Sequence, residues 1–347
     1  MRHTSSLAVV AVLALAACAS PRTPDLSLPG AFEAQPGAAQ TVALDRWWTA
    51  FEEPELSGLV EQALAANTDV RTAAARLQEV RAQRNSAILS LFPQGDATGS
   101  GRRTETEQLS GTQVSIPGFS TSGTSEAYSA NFNVSWELDL FGRSFAAARA
   151  ANADVAAQRF AYEGVRAAIA AQVADSWFQA RGLAIQLADA RETARIQREL
   201  YDLAAKRAQA GLSASSEPDR IAGDLAQADA QVAALEAELQ AQRRALLILT
   251  GRAAEPTANI DAQPRVGTLP PVPATIPSEL LGRRPDIREA QARVRSAAGR
   301  QDIAERAFLP TFNLTPGIGW SRQEQPGFES ESWNWSIGGT VTQPILS

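Results

Sequence analysis

The stretch YSANFNVSWELDL, residues 128–140, is the part of the sequence that decides the fold. Its even-numbered positions hold Tyr, Ala, Phe, Val, Trp, Leu and Leu, whereas its odd-numbered positions hold Ser, Asn, Asn, Ser, Glu and Asp. Successive side chains of a β-strand point to opposite faces of the sheet, so this alternation predicts a strand with one apolar and one polar face. Its length of 13 residues suits a membrane strand, which needs about 9–11 residues.

Three further segments alternate in the same way over shorter or weaker stretches. Strands are predicted at residues 93–103, 128–141, 310–321 and 332–346. The polar positions are rich in Asn, Ser, Thr and Gly, and aromatic residues occupy the apolar positions toward the strand ends. Outer-membrane barrels have an apolar lipid-facing surface, a polar lumen and aromatic girdles. A soluble sandwich with one solvated face is the alternative that the alternation alone leaves open.

The alternation also predicts which strand residues face lipid and which face a water-filled lumen. The residues predicted to face lipid are Tyr128, Phe132, Val134, Trp136, Leu138, Phe312, Leu314, Trp320, Trp333 and Trp335. The residues predicted to face the lumen are Asn131, Asn133, Ser135 and Glu137.

Two long helices are predicted after the second strand. Residues 143–210 contain no proline, and at about 1.5 Å per residue they predict a helix of roughly 100 Å. The return helix has a mainly apolar seam from residue 221 to residue 249, spaced alternately by four and three, which is typical of a coiled coil. Gly211 and Gly251 provide helix ends. We therefore predict a helical hairpin over residues 143–250 and a Pro-rich linker over 251–276.

An internal repeat organises the chain. Residues 67–93 recur at 284–310, so that Asp69 matches Asp286 and Pro93 matches Pro310. A duplicated helix-and-strand unit predicts a two-fold repeat, with a first copy at 47–250 and a partial second copy at 277–347. Because the sequence stops where the second hairpin is expected, we expect the chain to be a fragment of a longer protein.

The N-terminus has the pattern of a secretory signal. A charged start, an apolar run at residues 7–17 and small residues before Cys18 are typical of a signal peptide at residues 1–17. The sequence LAAC at 15–18 resembles the lipobox of bacterial lipoproteins, which implies a lipid (palmitate-type) anchor on Cys18 and sorting to the outer membrane. Residues 18–46 are rich in Pro, Ala and Gly, and are predicted to form an extended tether.

Composition argues against several classes of function. The net charge of -6 and the lack of a long basic run argue against nucleic-acid binding. The only histidine, His3, lies in the predicted signal peptide, so the mature chain has no Ser-His-Asp triad and no His/Cys metal cluster. A lipoprotein enzyme that uses two carboxylates would need a clustered acidic motif, which the sequence lacks. We predict neither enzyme activity nor a cofactor.

Four motifs, in this order along the chain, resemble those of the outer membrane factor family, the TolC-type efflux channels, and its lipidated OprM-like branch. They are WELDLFGR at 136–143, AGLS at 210–213, LILTG at 247–251 and LLGRRPDI at 280–287. The resemblance implies a mainly α fold with membrane β, built from a duplicated helix–strand–strand–long helical hairpin unit. It further implies that three copies close a 12-stranded outer-membrane β-barrel, which a periplasmic α-helical barrel continues.

The resemblance also implies a function. It is that of a passive channel in the outer membrane of a Gram-negative bacterium, the exit component of a tripartite efflux system for multidrug export. The implied partners are two further copies of the chain, a periplasmic adaptor (membrane fusion) protein, an inner-membrane pump and outer-membrane lipid. The implied adaptor-docking tip consists of Arg207, Gly211, Leu212 and Ser213, which surround the break in the hairpin. A lipid-anchored periplasmic coiled-coil adaptor and a type I secretion exit duct remain open as alternatives.

Lipidation of Cys18 is directly testable. We expect radiolabelled palmitate to enter the protein, because Cys18 follows the signal peptide with small residues before it. A Cys18→Ser variant, compared by autoradiography at equal expression, should carry no label. Equal labelling of the two proteins would contradict this prediction.

Overall fold

The computed structural model describes residues 44–107, 123–267, 269–270, 281–325 and 327–345. The chain folds into two compact units. The described parts of Glu79–Ala157 and Ala290–Ser347 form the first, here called the sheet unit. The described parts of Ser27–Gln78 and Gln158–Glu289 form the second, the hairpin unit. The predicted repeats follow the chain in order, whereas each compact unit combines segments of both.

The helices are long and regular. They are α1 (Pro54–Ala66), α2 (Thr68–Leu89), α3 (Arg143–Gln209), α4 (Ser216–Leu249) and α5 (Pro285–Arg306). Short 3₁₀ turns occur at Leu44–Phe51 and Thr257–Asn259. None of the described helices combines the length and the apolar composition needed to cross a membrane.

Four strands form one antiparallel sheet in the order of the chain. They are β1 (Gln94–Thr106), β2 (Gly123–Leu138), β3 (Thr311–Gln325) and β4 (Phe328–Thr342). The strands continue further toward their connecting loops than predicted, since β2 begins at 123 rather than 128 and β4 at 328 rather than 332. Ladder pairs such as Thr106 with Gly123 hold these ends, so backbone pairing continues where the alternation of side chains has stopped.

The opposite end of β2 is shorter than predicted, because the chain turns into α3. The strand ends at Leu138 instead of 141, and the backbone N–H of Leu140 bonds back to the Leu138 carbonyl over 2.8 Å. The Asp139 carboxylate accepts the backbone N–H of Phe145 over 2.9 Å, which satisfies one free donor of the first helical turn. Gly142 has a φ of 77°, a value that other residues rarely adopt.

The core of the hairpin unit is built mainly from α1, α3 and α4, and the seam between α3 and α4 is part of it. Every seam residue predicted for α4 is buried or half-buried, with Leu235, Leu239 and Leu246 fully inside. Ion pairs flank the seam and join the two helices, including Arg191–Glu236 at 2.6 Å and Arg198–Asp229 at 3.0 Å. This is the arrangement of a coiled coil, with apolar residues inside and charged pairs at the margins.

A buried ion pair in the hairpin unit joins α3 to the residue that precedes α1. The side chains of Glu53 and Arg181 are each 5% exposed and pair with one another. Trp177 donates its indole N–H to Glu53 over 2.8 Å, and Arg181 also donates to the carbonyl of Arg265. Removing one partner of such a pair leaves an uncompensated charge, which typically costs about 3–5 kcal/mol.

The segment after α4 belongs partly to this core, which the predicted linker at 251–276 did not anticipate. Ile260 and Ala262 are 3% exposed and pack into the same cluster as the hairpin seam.

Before them, Gly251 caps α4 with a φ of 74°. The Arg252 guanidinium bonds to Glu255, and Asn259 adds a second bond, so the pKa of that carboxyl is lowered to about 2. The carboxylate therefore stays charged at physiological pH.

In the sheet unit, α3 and α5 approach closely through small residues. Ala146, Ala150, Ala292 and Ser296 are all buried. A Cβ atom on Gly299 would lie 2.9 Å from the Cβ of Ala150 and 3.1 Å from its Cα, so the helices leave no room for any side chain there. Polar contacts accompany the crossing, since Asp154 accepts the Ser296 hydroxyl over 2.6 Å and a guanidinium N–H of Arg300 over 3.0 Å.

This crossing predicts opposite effects for two glycine-to-alanine substitutions. Gly299→Ala should lower the free energy of unfolding by about 1–3 kcal/mol, because the added methyl group meets the α3 backbone. Gly223→Ala, on an exposed part of α4 with nothing within 4 Å, should raise it by about 0.5–1 kcal/mol. Denaturant unfolding of the purified proteins in detergent measures both, and equal stabilisation by the two substitutions would show that the helices do not approach closely.

Candidate functional site

The register of the sheet separates its residues into two chemically distinct faces. Directly paired residues share a face, and one row across the strands is Ala97, Phe132, Ile318 and Trp335. The same pairing places all ten residues predicted to face lipid on this apolar face. Asn131, Asn133, Ser135 and Glu137 lie on the opposite, polar face. Which face meets lipid stays a prediction.

The apolar face has five consecutive apolar rows, those of Leu138, Trp136, Val134, Phe132 and Ala130. At about 3.4 Å per residue they extend over about 27 Å of strand. Val134 lies in the central row. The rings of β2 also cover the small residues of β1, because a Cβ on Gly95 would lie 3.0 Å from the Phe132 ring and one on Gly101 would lie 3.3 Å from the Tyr128 ring.

Charged residues replace apolar ones at the loop end of the same face. Arg103 pairs with Glu126 at 3.1 Å, and Arg322 pairs with both Glu329, at 2.9 Å, and Glu324. Two predicted lipid-facing aromatic residues join this cluster, since the Tyr128 hydroxyl donates to Glu126 and the Trp320 indole donates to Glu331, each over 2.8 Å. The alternation predicted the positions of the two aromatic residues but not their carboxylate partners. Glu126 and Glu331 lie on the same face of the sheet as these aromatic residues.

The polar face consists mainly of hydroxyl and amide groups that bridge neighbouring strands. The hydroxyl oxygens of Ser100 and Ser129 lie 2.9 Å apart, and those of Ser321 and Ser332 lie 3.0 Å apart. Glu137 accepts two bonds of 2.7 Å from the Arg143 guanidinium at the start of α3. A surface of this kind interacts well with water and poorly with hydrocarbon.

The two edges of the sheet are open within the described residues. β1 pairs only with β2, and β4 pairs only with β3. The ladder between β2 and β3 is also interrupted, since Val134 and Ser135 have no partners opposite Thr315 and Pro316. Proline has no N–H to donate, which accounts for the gap.

The junction between sheet and helices is held by side chains that reach the backbone. Arg306, at the end of α5, donates to the carbonyl of Phe141 over 2.5 Å and occupies the space where a Cβ of Gly142 would lie. The rings of Phe141 and Phe312 lie 6.3 Å apart across the same junction. The motif WELDLFGR at 136–143 therefore contains the end of β2, the turn and the first residue of α3.

The four residues predicted to form the tip lie at the turn between α3 and α4. Gly211 has a φ of 72°, its N–H bonds to the Ala208 carbonyl over 3.0 Å, and the Leu212 N–H bonds to the Arg207 carbonyl over 2.9 Å. This pair of bonds is the Schellman motif of helix ends. Leu212 is 71% exposed, whereas the Ser213 hydroxyl is buried and has no hydrogen-bond partner among the described residues. Cys18 lies outside the described residues.

On α3 before the turn, Arg195 bonds to Glu192 over 2.5 Å and lowers the pKa of that carboxyl. Across the described ranges, no group of three or more His, Cys, Asp or Glu side chains is placed to hold a metal ion.

A two-faced sheet with open edges, joined to a long helical hairpin, defines a class of membrane-associated β proteins with coiled-coil extensions. The model of a family described as outer membrane efflux protein matches residues 59–252 and 276–347. The chain therefore belongs to this family. Its identification as a TolC-type outer membrane factor is confirmed, and so is the mixed α and membrane-β fold class.

Individual relatives agree with the family. The pyoverdine export outer membrane protein OpmQ of Pseudomonas putida is 30% identical over 305 residues, covering 87% of this chain and 65% of OpmQ. The cation efflux system protein CusC of Escherichia coli O6:H1 is 29% identical over 306 residues, covering 87% of this chain and 63% of CusC. The structure of the outer-membrane channel OprN superposes with a TM-score of 0.72 at 26% identity, covering 93% of this chain and 73% of that one. The chain thus spans less than two thirds of the length of OpmQ and CusC.

Proposed function

We propose that the chain is a subunit of an outer-membrane channel that exports solutes passively as the exit component of a tripartite efflux system. The observation that carries this proposal is the sheet with an apolar face, a polar face and two open edges. Lipid offers no hydrogen-bond partner for the free N–H and C=O groups of an edge strand. The sheet must therefore be closed by further strands before it can lie in a bilayer.

Three copies of the chain close this sheet. Three antiparallel pairings separate β1 from β4, so the two edge strands run in opposite directions. A seam between β1 of one copy and β4 of the next is then antiparallel, like the other ladders. Cyclic symmetry repeats this seam without leaving an edge, and three four-stranded sheets give the 12-stranded barrel that the family resemblance implies.

The apolar face then meets lipid and the polar face lines a water-filled lumen. At the tilt of about 35–45° that barrel strands have, the five apolar rows span roughly 19–22 Å across the membrane, close to the apolar band of about 25 Å. The helical hairpin continues the conduit on the periplasmic side as part of an α-helical barrel. Solutes pass without chemistry at this protein, which acts as a channel and not as an enzyme.

The turn between α3 and α4 is the part of this proposal that meets other components. We place adaptor docking at Arg207, Gly211, Leu212 and Ser213, because Leu212 presents an exposed apolar side chain next to a rigid helix cap. The adaptor connects the channel to an inner-membrane pump. Cys18 anchors the mature chain to the outer membrane through lipid.

The remaining candidate functions fit less well. A periplasmic adaptor would account for the hairpin and for Cys18 but has no use for a sheet with five apolar rows. A type I secretion exit duct would share this architecture and differ only in its cargo. OpmQ is named for pyoverdine export and CusC for cation efflux, so members of one family carry chemically different cargo. The efflux role is favoured because these relatives are named for the efflux of cations and the export of pyoverdine.

A matched pair of arginine substitutions tests the orientation of the sheet. Val134→Arg places a charge in the central apolar row and should cost about 2–4 kcal/mol of stability in the membrane. Ser135→Arg, one residue away on the polar face, should assemble normally and change the conductance. Heat-resistant trimers in detergent extracts and single-channel recordings measure the two effects. Equal assembly of both variants would exclude the proposed orientation, and with it the channel.

Cysteine crosslinking tests the docking turn. With Cys18 retained for anchoring, cysteines introduced at Leu212 or Ser213 should crosslink to the periplasmic adaptor in intact cells, because they lie at the turn of the hairpin. Matched cysteines near Arg143 and Thr250, at the ends of α3 and α4 that lie away from the turn, should not. Crosslinks from these two positions alone would mean that the hairpin points the other way.

A further inference from the structure

The polar face of the sheet carries very few charges. Over the described strands only Asp96, Arg102 and Glu137 are charged on this face. Glu137 is neutralised by Arg143 at the start of α3. The other positions hold Ser, Thr, Asn, Gln, Gly, Ala or Phe. The fixed charge of this face therefore comes from Asp96 and Arg102, both on the edge strand β1.

Asp96 and Arg102 have no charged partner within the described sheet. Their direct cross-strand neighbours are Asn133 and Ala127, and both charged side chains are exposed. They cannot neutralise one another, because six residues of strand separate them by about 20 Å. In this respect they differ from the charged residues at the loop end of the apolar face, which pair among themselves.

Closing the sheet does not supply the missing partners on the polar face. In the proposed assembly β1 lies beside β4 of the next copy. The residues of β4 on the polar face are Phe328, Ser330, Ser332, Asn334, Ser336, Gly338, Thr340 and Thr342, none of which is charged. Whatever register the seam adopts, this strand offers Asp96 and Arg102 no opposite charge on their own face.

We propose that Asp96 and Arg102 form two charged rings of the exit pore and set its ion selectivity. This inference rests on the proposed function, because three-fold symmetry turns each side chain into a ring of three. Rings of carboxylates favour cations in a pore, and rings of Arg or Lys favour anions. The carboxylate ring lies toward the helical end of β1 and the guanidinium ring toward the loop end, so a leaving solute passes the carboxylates first.

The two rings act separately at ordinary salt concentrations. Their separation of about 20 Å along the strand exceeds the Debye length of about 10 Å at 0.1 M salt. Between them the wall consists of hydroxyl groups such as those of Thr98 and Ser100. A pore of this kind retains neither cations nor anions strongly, which suits cargo of either charge. Removing the charge of one ring should make the pore favour ions of one sign.

Reversal potentials in planar bilayers under a KCl gradient test the assignment, using the purified channel. Asp96→Asn should lower the K⁺/Cl⁻ permeability ratio, and Arg102→Gln should raise it, each by about two-fold or more. Asp96→Glu and Arg102→Lys keep the charges and should keep the wild-type ratio. Thr98→Asp adds a carboxylate ring on the same face and should raise the ratio, which gives a reading even if the Asp96 variants do not assemble.

The matched control is Arg103→Gln. Arg103 is the neighbour of Arg102 on the opposite face, where it pairs with Glu126, so its loss should leave the permeability ratio unchanged. The ring assignment would be overturned if the permeability ratio were unchanged in both Asp96→Asn and Arg102→Gln. It would also be overturned if Arg103→Gln shifted the ratio as much as Arg102→Gln does. Neither result would contradict the channel itself. A wild-type protein that conducts no ions would overturn the channel itself and the rings with it.

Discussion

Hydrogen bonding along the two open edges of the sheet is the constraint on which the rest of the structure depends. The inner ladders satisfy the backbone of β2 and β3, whereas β1 and β4 each leave one side without a partner among the residues that the structure describes. In water such an edge is a liability, and in hydrocarbon it is not tolerated. The edges must therefore be paired before the sheet can function in a membrane. Only in a closed sheet can one face contact lipid while the other contacts water.

The helices pack against one another in two different ways. Along the hairpin seam, large side chains such as Leu235 and Leu239 fill the space between α3 and α4. At the crossing of α3 and α5, Gly299 and Ala150 instead bring the two backbones close together. The close crossing holds the end of α5 beside the start of α3, where Arg306 bonds to Phe141 and fixes the exit from β2. The passage from β2 into α3 is thus fixed next to a close crossing of small residues.

Much of this could be predicted from the sequence, for reasons that differ between elements. The alternation of β2 and the four-three spacing of α4 are repeated many times, so each reveals its face without tertiary information. Strand β1 gave a weak signal, because glycines occupy its apolar positions and the rings of β2 cover them. The extent of β4 toward the loop was missed, since ladder pairing with β3 holds residues whose side chains do not alternate. The contact of Gly299 with Ala150 and the entry of Ile260 into the core depend on distant segments, which no local pattern records.

The small side chains of β1 and the large ones of β4 make the two edges unlike one another. The apolar face of β1 has no large side chain of its own at positions 95–101, which hold Gly95, Ala97, Gly99 and Gly101. On β4, the side chains of Trp333 and Trp335 project from the sheet and are 73% and 78% exposed. Two β4 edges brought together would crowd their indole rings. Strand β1, whose glycines lie under the Phe132 and Tyr128 rings, adds no large side chain of its own at a seam with β4. The unlike edges thus favour head-to-tail joining, which can close into a ring, over the like-with-like pairing that ends at a dimer.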